Sequence, residues 1–349
     1  MDKTFWTRFL DSRSNNRKSK IQNRKWAGFL VVVVLLAGCV GMAEAQQTKN
    51  VPRIGFLASG SASSTSTVYG NLRQGLRELG YMEGRSISIE SRFADGRSER
   101  LPDLAADLVR LKVQVIVAQA TPATRAAKHS TTTIPIVMVG VGDPVGAGLV
   151  ASLARPGGNI TGLTSLSPEL SGKRLELLKE VIPGISRVAI LWNPTNTSNS
   201  LQLKEVQAAA QTLALRMQSL EVSKPDDFEH AFSAMARERA DAFVAFADPF
   251  LTTHGVRLVD LSAKNRLPAI YANRRHVEAG GLMSYAPDVS YTDRRLPYYV
   301  DRILKGAKPA DLPVEQPTKF ELVINLKAAK QIGLTIPQSV LYRADKVIK

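Results

Sequence analysis

Short apolar runs alternate with amphipathic helical stripes along this chain, and that alternation limits the fold more than any other feature. RIGFLA (53–58) precedes a segment in which Leu72, Leu76 and Leu79 share one helical face before Gly80. SISIE (86–90) alternates as a strand, and Leu101, Leu104, Leu108 and Leu111 form the next stripe. VQVIVA (113–118) and IPIVMV (134–139) are apolar nearly throughout, the pattern of strands covered on both faces in a parallel sheet. The cycle then restarts. Leu175, Leu178 and Ile182 mark a helix, VAILW (188–192) a strand, and Leu203, Val206, Ala210 and Leu213 a longer helix. Phe228, Ala231, Phe232 and Met235 stripe another, with Asp226 and Glu229 at capping-box spacing. DAFVAFA (241–247) and PAIYA (268–272) complete the second series. Leu296, Tyr299, Val300 and Ile303 add a helix and FELVI (320–324) a strand, too few for a third unit. The expected fold is α/β: two doubly wound Rossmann-like lobes with a hinged inter-lobe cleft. Lobe 1 takes residues 51–163 and 287–318, and lobe 2 takes 164–286 and 319–349.

A length of 349 residues suits two such lobes. The net charge of +15 raises the question of nucleic acid, but five of those charges fall in residues 1–45. The rest are dispersed, without a basic block or interleaved aromatics, so no nucleic-acid partner is expected. Residues 1–45 have the form of an export signal: a basic region ending at Arg24-Lys25, an apolar stretch from Ala27 to Ala37, and Ala43-Glu44-Ala45 as a small-x-small cleavage site. Leu36-Ala37-Gly38-Cys39 offers a second processing site. It has the form of a lipoprotein box, which would end the signal at residue 38 and make Cys39 the lipidated N-terminus. Both readings place the mature protein outside the cytoplasm, in the periplasm, either free or lipid-anchored. Cys39 is the only cysteine, so the mature domain is expected to have no disulfide, thiol nucleophile or thiolate metal site.

The stretch VGVGDPVGAGLV (139–150) carries four glycines around an Asp-Pro pair. A dinucleotide fingerprint needs a third glycine where Val145 stands, and Pro144 removes an amide that would face a phosphate. No Gly-Lys-Ser/Thr follows, so a P-loop is excluded as well. Asp143 suits an N-cap and Pro144 a first helical position, which predicts a short helix through Gly148-Leu149-Val150 beside the cleft mouth.

Several segments together resemble one family. Asp143-Pro144-Val145, Gly148-Leu149-Val150, Ser152-Leu153 and the run from Pro156 to Gly162 are similar to a signature of ABC-transporter substrate-binding proteins of the tryptophan/tyrosine-binding type. Ala120-Thr121-Pro122-Ala123, Trp192-Asn193-Pro194 and the tail FELVINLKAAKQIGLTIP keep the same order. The resemblance spans nearly all of the chain after the leader. It implies the type I periplasmic-binding-protein fold and a receptor that hands a small organic solute to an ABC permease and its ATPase.

Ligands in open α/β sheets settle beyond the carboxyl ends of the strands. That rule directs attention to the loops after Ala58, Ala118, Val139, Trp192, Ala247 and Ala272. Ser59, Ser61 and Ser63 follow the first strand, where hydroxyls can orient a carboxylate or simply face solvent. Thr121 and Pro122 follow the third strand, and the resemblance makes Thr121 a ligand contact. Asp143, Pro144 and Asn193 sit at loop positions of the expected cleft rim. Trp192, Phe246 and Tyr271 end buried strands and belong to the core, which leaves Phe250 and Tyr285 as an aromatic wall. The resemblance aligns Asp248 with an acidic position near bound solute. It also exposes a departure, because Asn273-Arg274 stands where relatives binding aromatic amino acids carry Ser-Asp. An arginine fork there suits a carboxylate or phosphate, so an anionic solute is expected, with Arg275 as the alternative to Arg274 because one of the pair is expected to face solvent.

No enzyme motif emerges. The four histidines (129, 230, 254 and 276) form no i,i+4 pair, there is no G-x-S-x-G elbow, and no metal or cofactor is expected. Asp248 and His254 make only a sequence-proximity dyad. Solute capture for import therefore leads. A ligand-sensing subunit of a membrane signalling system and a two-lobed glycosyltransferase-like enzyme are the alternatives.

Overall fold

The computed structural model describes residues 51–349, apart from the side chains of Val289, Tyr291 and Asp293. The export-signal and lipidation readings, Cys39 included, lie outside the described residues. Twelve strands segregate into two sheets. The first, in the order β2-β1-β3-β4-β5, is wholly parallel. It comprises β1 (Arg53–Ala58), β2 (Ser88–Phe93), β3 (Val115–Gln119), β4 (Ile136–Val141) and β5 (Ile160–Thr164). The second has seven strands in the order β12-β11-β10-β9-β8-β6-β7. Its members are β6 (Arg187–Trp192), β7 (Arg216–Glu221), β8 (Ala242–Ala245), β9 (Ala269–Tyr271), β10 (Met283–Pro287), β11 (Phe320–Asn325) and β12 (Lys346–Ile348).

Each sheet is covered on both faces by helices. On the first, α1 (Ser66–Glu78) lies on one face, and α2 (Leu101–Arg110) and α3 (Ala120–Ser130) lie on the other. On the second, α4 (Ser167–Val181) and α5 (Thr197–Thr212) oppose α6 (Asp227–Arg237), α7 (Pro249–Thr253) and α8 (Gly255–Lys264). After the short α9 (Arg274–Glu278), α10 (Val289–Leu304) returns to the first sheet and buries Leu296, Tyr299 and Val300 beside Leu72 and Leu76 of α1. The helices α11 (Leu326–Gln331) and α12 (Gln338–Leu341) close the second sheet. Every face thus has its own apolar cluster, two to a sheet, as expected of doubly wound units.

Several local expectations change in the folded chain. β2 starts two residues later than SISIE and is half-buried throughout rather than alternating, because it is an edge strand registered on β1 from Arg53↔Ser88 to Ala58↔Phe93. Leu79 is exposed, since it caps α1 beyond the last turn that faces the sheet. Asp226 and Glu229 form no capping box. Asp227 instead accepts the Ser223 and Lys224 amides, and Glu229 pairs with Arg257. Asp143-Pro144 starts a single turn and not a helix. The Asp143 Oδ1 accepts from the amides of Val145 (3.0 Å) and Gly146 (2.8 Å), and Gly148 at φ +67° ends the turn. β11 runs antiparallel to β10, because the chain leaves for α10 between them and re-enters from the opposite end.

The chain crosses between the sheets three times: after β5, after β10 and before β11. β5 depends on one glycine. Gly162 has φ +132° and faces Met138 of β4, and a Cβ there would lie 2.1 Å from the Met138 carbonyl oxygen. Gly162→Ala is expected to lower unfolding free energy by more than about 2 kcal/mol, through both strain and the clash. Urea titration of the purified variant measures this.

Candidate functional site

Between the sheets, beyond the carboxyl ends of their strands, lies a cavity of about 260 Å³. A wider, shallow groove of about 470 Å³ lies on the outer face of the second unit, along Glu229, Val256 and Lys264. The inner cavity is the better site, because strand ends and helix N-termini from both units converge on it.

The first unit supplies Thr65, Gln119, Thr121, Val139 and Gly140. Ala120, at φ +71°, turns the chain from β3 directly into α3 and sets Thr121 on the cavity wall. The second unit supplies Ser198, Asp248, Asn273 and Arg274, and the crossings add Thr164, Ser165, Ala286 and Pro287. Ser167 and Ser198 open α4 and α5, so these helices, like α3, direct positive dipole ends at the cavity. The Gln119 Oε1 is buried without a hydrogen-bond partner. No aromatic side chain lines the cavity among the described residues.

Asp248 organises the second wall. It is buried and caps α7, its Oδ1 accepting from the amides of Phe250 (2.8 Å) and Leu251 (3.2 Å) and from Asn193 Nδ2 (3.3 Å). Its Oδ2 accepts from Asn196 Nδ2 (2.9 Å). Burial pushes its carboxyl pKa up, although these hydrogen bonds pull in the opposite direction. Asn273 caps α9 by accepting from the Arg275 amide (3.0 Å). Arg274 donates to Glu278 (2.8 Å) and Glu321 (3.3 Å). Burial alone would lower its pKa, but the two carboxylates outweigh burial and raise it.

Of the residues singled out in the sequence, Thr121, Asp248, Asn273 and Arg274 line the cavity. The others do not. Ser59 is buried and ties β1 to α3, donating to the Gln119 carbonyl (3.2 Å) and accepting from the Ala123 amide (3.0 Å). The Ser61 hydroxyl bonds within its own loop, to Ser63 and Ser64. Pro122 is half-buried in the first turn of α3, off the cavity wall. Asp143 spends its carboxylate on its own turn, and Pro144 is buried there. Asn193 is buried beneath the wall as a donor to Asp248. The expected aromatic wall is absent because Phe250 stacks on Phe228 (5.5 Å) in the core and Tyr285 packs against Phe320 (6.0 Å). Arg274 is no free fork, because two carboxylates already occupy it.

Sequence reasoning missed Gln119, Ser198, Arg275, Glu278 and Glu321. The i,i+4 spacing of Arg274 and Glu278 was a usable signal. Glu321 gave none, since it reaches the cavity only through antiparallel pairing with Ala286. Arg275 is half-buried. It crosses to the first unit, donating to the Ser63 carbonyl (2.6 Å), Ser66 Oγ (2.9 Å) and Thr67 Oγ1 (2.6 Å).

A family model described as ABC transporter substrate binding protein matches residues 54–348. The chain belongs to this family. A tyrosine-binding protein of Clostridioides difficile is 26% identical over 260 residues, 74% of each chain. A conserved domain protein of Vibrio cholerae superposes with a TM-score of 0.80 at 30% identity, covering 85% of this chain and all of that one. An ABC domain of Streptococcus pneumonia in complex with L-Trp gives 0.78 at 29% identity, covering 84% of this chain and all of that one. This substrate-binding protein therefore has the type I periplasmic-binding fold, and its family captures small molecules for a permease and ATPase. Family members are of a non-catalytic, solute-binding type and are typically exported.

Below Arg275, His276 is fully buried and stacks on Tyr271 (4.8 Å), with its nitrogens facing the carbonyls of Asn273 and Leu251. Burial lowers its pKa, against the pull of those carbonyls. The unfolded chain, with an imidazole pKa of about 6.5, therefore takes up the proton first as pH falls. Stability is full above that pH and declines below it. Urea midpoints at pH 7.5 and 5.5 are expected to show this loss, and His276→Gln is expected to reduce it. A wild-type midpoint independent of pH over this range contradicts the assignment.

Proposed function

We propose that this protein is the exported solute receptor of an ABC importer, and that the cavity between its lobes holds one small zwitterionic solute of amino-acid size. The observation carrying this reading is the cavity between two separately cored sheets, walled by hydroxyls, helix N-termini and an unpartnered Gln119 amide oxygen. Lobe 1 (51–163 and 287–318) and lobe 2 (164–286 and 319–349) move as two bodies about the three crossings. Solute binds one lobe, and closure adds the second set of hydrogen bonds and excludes water. A solute drives that change only if it prefers the closed form.

The charge pattern revises the expectation of an anionic solute. Asp248, Glu278 and Glu321 meet Arg274 and Arg275 around the cavity, so its walls carry no excess of positive side chains. Helix N-termini suit a carboxylate, while the glutamates suit an ammonium group. The relatives named for tyrosine and solved with L-Trp support this solute class. The volume of about 260 Å³ lies just below the usual range of ligand pockets, which suits a small solute. The solute leaves unaltered, without catalysis. The mature protein works in the periplasm, either free or anchored through Cys39, and passes solute to the permease.

Native mass spectrometry of the purified protein is expected to show retained solute of amino-acid mass, lost on denaturation and refolding. Thr121→Val and Ser198→Ala are each expected to weaken its rebinding about tenfold by calorimetry. Conversion of that solute by the pure protein would overturn the reading.

A further inference from the structure

We propose that Arg275 is the latch of the closed arrangement, a residue that holds lobe 2 against lobe 1 and so sets how firmly the trap stays shut. The inference rests on the hinged-trap reading above. Arg275 leaves the first turn of α9 with its own amide fixed on the Asn273 Oδ1. Its guanidinium spans the rim and ends on three oxygens of lobe 1, those of Ser63, Ser66 and Thr67. These sit in the loop before α1 and in its first turn, far from Arg275 in sequence and in the other sheet's territory.

All three acceptors are neutral. Arg274 next door is held by two carboxylates, but among the described residues no carboxylate forms an ion pair with Arg275. That difference suits the two roles. A guanidinium on hydroxyls and a carbonyl releases groups that water satisfies at once, so the contact is reversible. Neighbouring contacts depend on the same closed geometry. The Ser61 amide donates to Thr253 Oγ1 (3.3 Å), and Ser64 Oγ pairs with that hydroxyl at 3.3 Å. Gly96 of lobe 1 meets Phe250 so closely that an added Cβ would be 3.2 Å from the Phe250 Cα. At another point Arg125 of lobe 1 donates to Thr197 of lobe 2 (2.7 Å).

Arg275 and Thr67 line the cavity, but Ser63 and Ser66 do not. Ser66→Ala therefore weakens the latch without altering the wall that solute touches. The test uses the full chain carrying Cys39→Ser, with spin labels on Arg77→Cys and Lys264→Cys, exposed helical positions on opposite lobes. Pulsed electron–electron distance measurement is made without solute and again with 1 mM L-tyrosine. Without solute, the parent is expected to show both a long and a short distance. Arg275→Ala is expected to cut the short-distance fraction at least about fivefold, Ser66→Ala about twofold, and the pair no further than Arg275→Ala alone. Arg275→Lys is expected to restore part of the fraction. Three results overturn the latch: a parent without the short distance, a short-distance fraction unchanged in Arg275→Ala, or full additivity of the two alanine variants. A single distance in every variant, unmoved by L-tyrosine, overturns the hinge and with it the proposed function. A parent that samples both distances, with an unaffected Arg275→Ala, overturns only the latch.

Discussion

A buried carboxylate satisfied without a cation holds the second wall of the cleft together. Asp248 collects two asparagine amides and two backbone amides, and each donor comes from a segment that would otherwise end loosely at the sheet edge. Asn193 follows β6, Asn196 opens α5, and Phe250 and Leu251 open α7. Asn199 extends the link, accepting from the Asn193 amide (3.0 Å) and donating to the Ala247 carbonyl (3.0 Å). Two strand ends and two helix starts thus share one polar knot. Buried polar groups are tolerable only when mutually satisfied, and a fully satisfied network is stiff. Stiffness is what a wall needs if binding energy is to go into closing lobes and not into ordering loops.

The same logic places the motion that the proposed hinge requires between the sheets and not within them. Each sheet is sealed on both faces by its own apolar clusters, and interiors packed in this way do not deform gradually. The crossings contain no comparable core. They run through Ser165 and Leu166, through Asp288, and through the stretch before Phe320, and Leu166 adopts φ +50°. Beneath the first two crossings, the fully buried Arg174 donates to the carbonyls of Tyr285 (2.8 Å) and Ser167 (3.4 Å), which ties them to lobe 2. A hinge of the proposed kind would then bend in a few residues on the lobe 1 side of that anchor.

The strands buried on both faces were legible in the sequence because burial leaves an uninterrupted apolar run, as in β1, β3, β4, β6 and β8. Four strands were not. β7 reads RMQSLE because it is an edge and faces water, and β5 reads ITGLT because Gly162 must clear a neighbouring carbonyl. β10 and β12 owe their place to long-range pairing with β11, which leaves no local mark. The rule that ligands lie beyond strand ends located the cleft, yet it could not sort the residues in each loop. Ser59 and Thr121 both follow strands. One is turned inward to bond Gln119 and Ala123 while the other faces the cavity, and that choice depends on backbone angles at Ala120. Aromatic residues misled for a related reason. Phe250 stands five residues past the end of β8, but α7 begins between them and turns its ring into the core.

Asn273, Arg274, Arg275 and His276 show how little distance in sequence separates different tasks. A helix rotates each successive side chain by about 100°, so four consecutive residues face four surroundings. Asn273 is spent on the cap. Arg274 is directed along the cavity wall into two carboxylates, Arg275 over the rim to the other lobe, and His276 back onto Tyr271. Reading Arg274 as an anion receptor assumed that an arginine near a cleft is free to receive. Its charge is instead cancelled by Glu278, one turn on, and by Glu321, brought in by a strand far along the chain. The adjacent arginine, which has no carboxylate of its own among the described residues, is the one left to act across the gap. Arg274 on the cavity wall and Arg275 across the rim are thus neighbours that share a helix turn but not a set of partners.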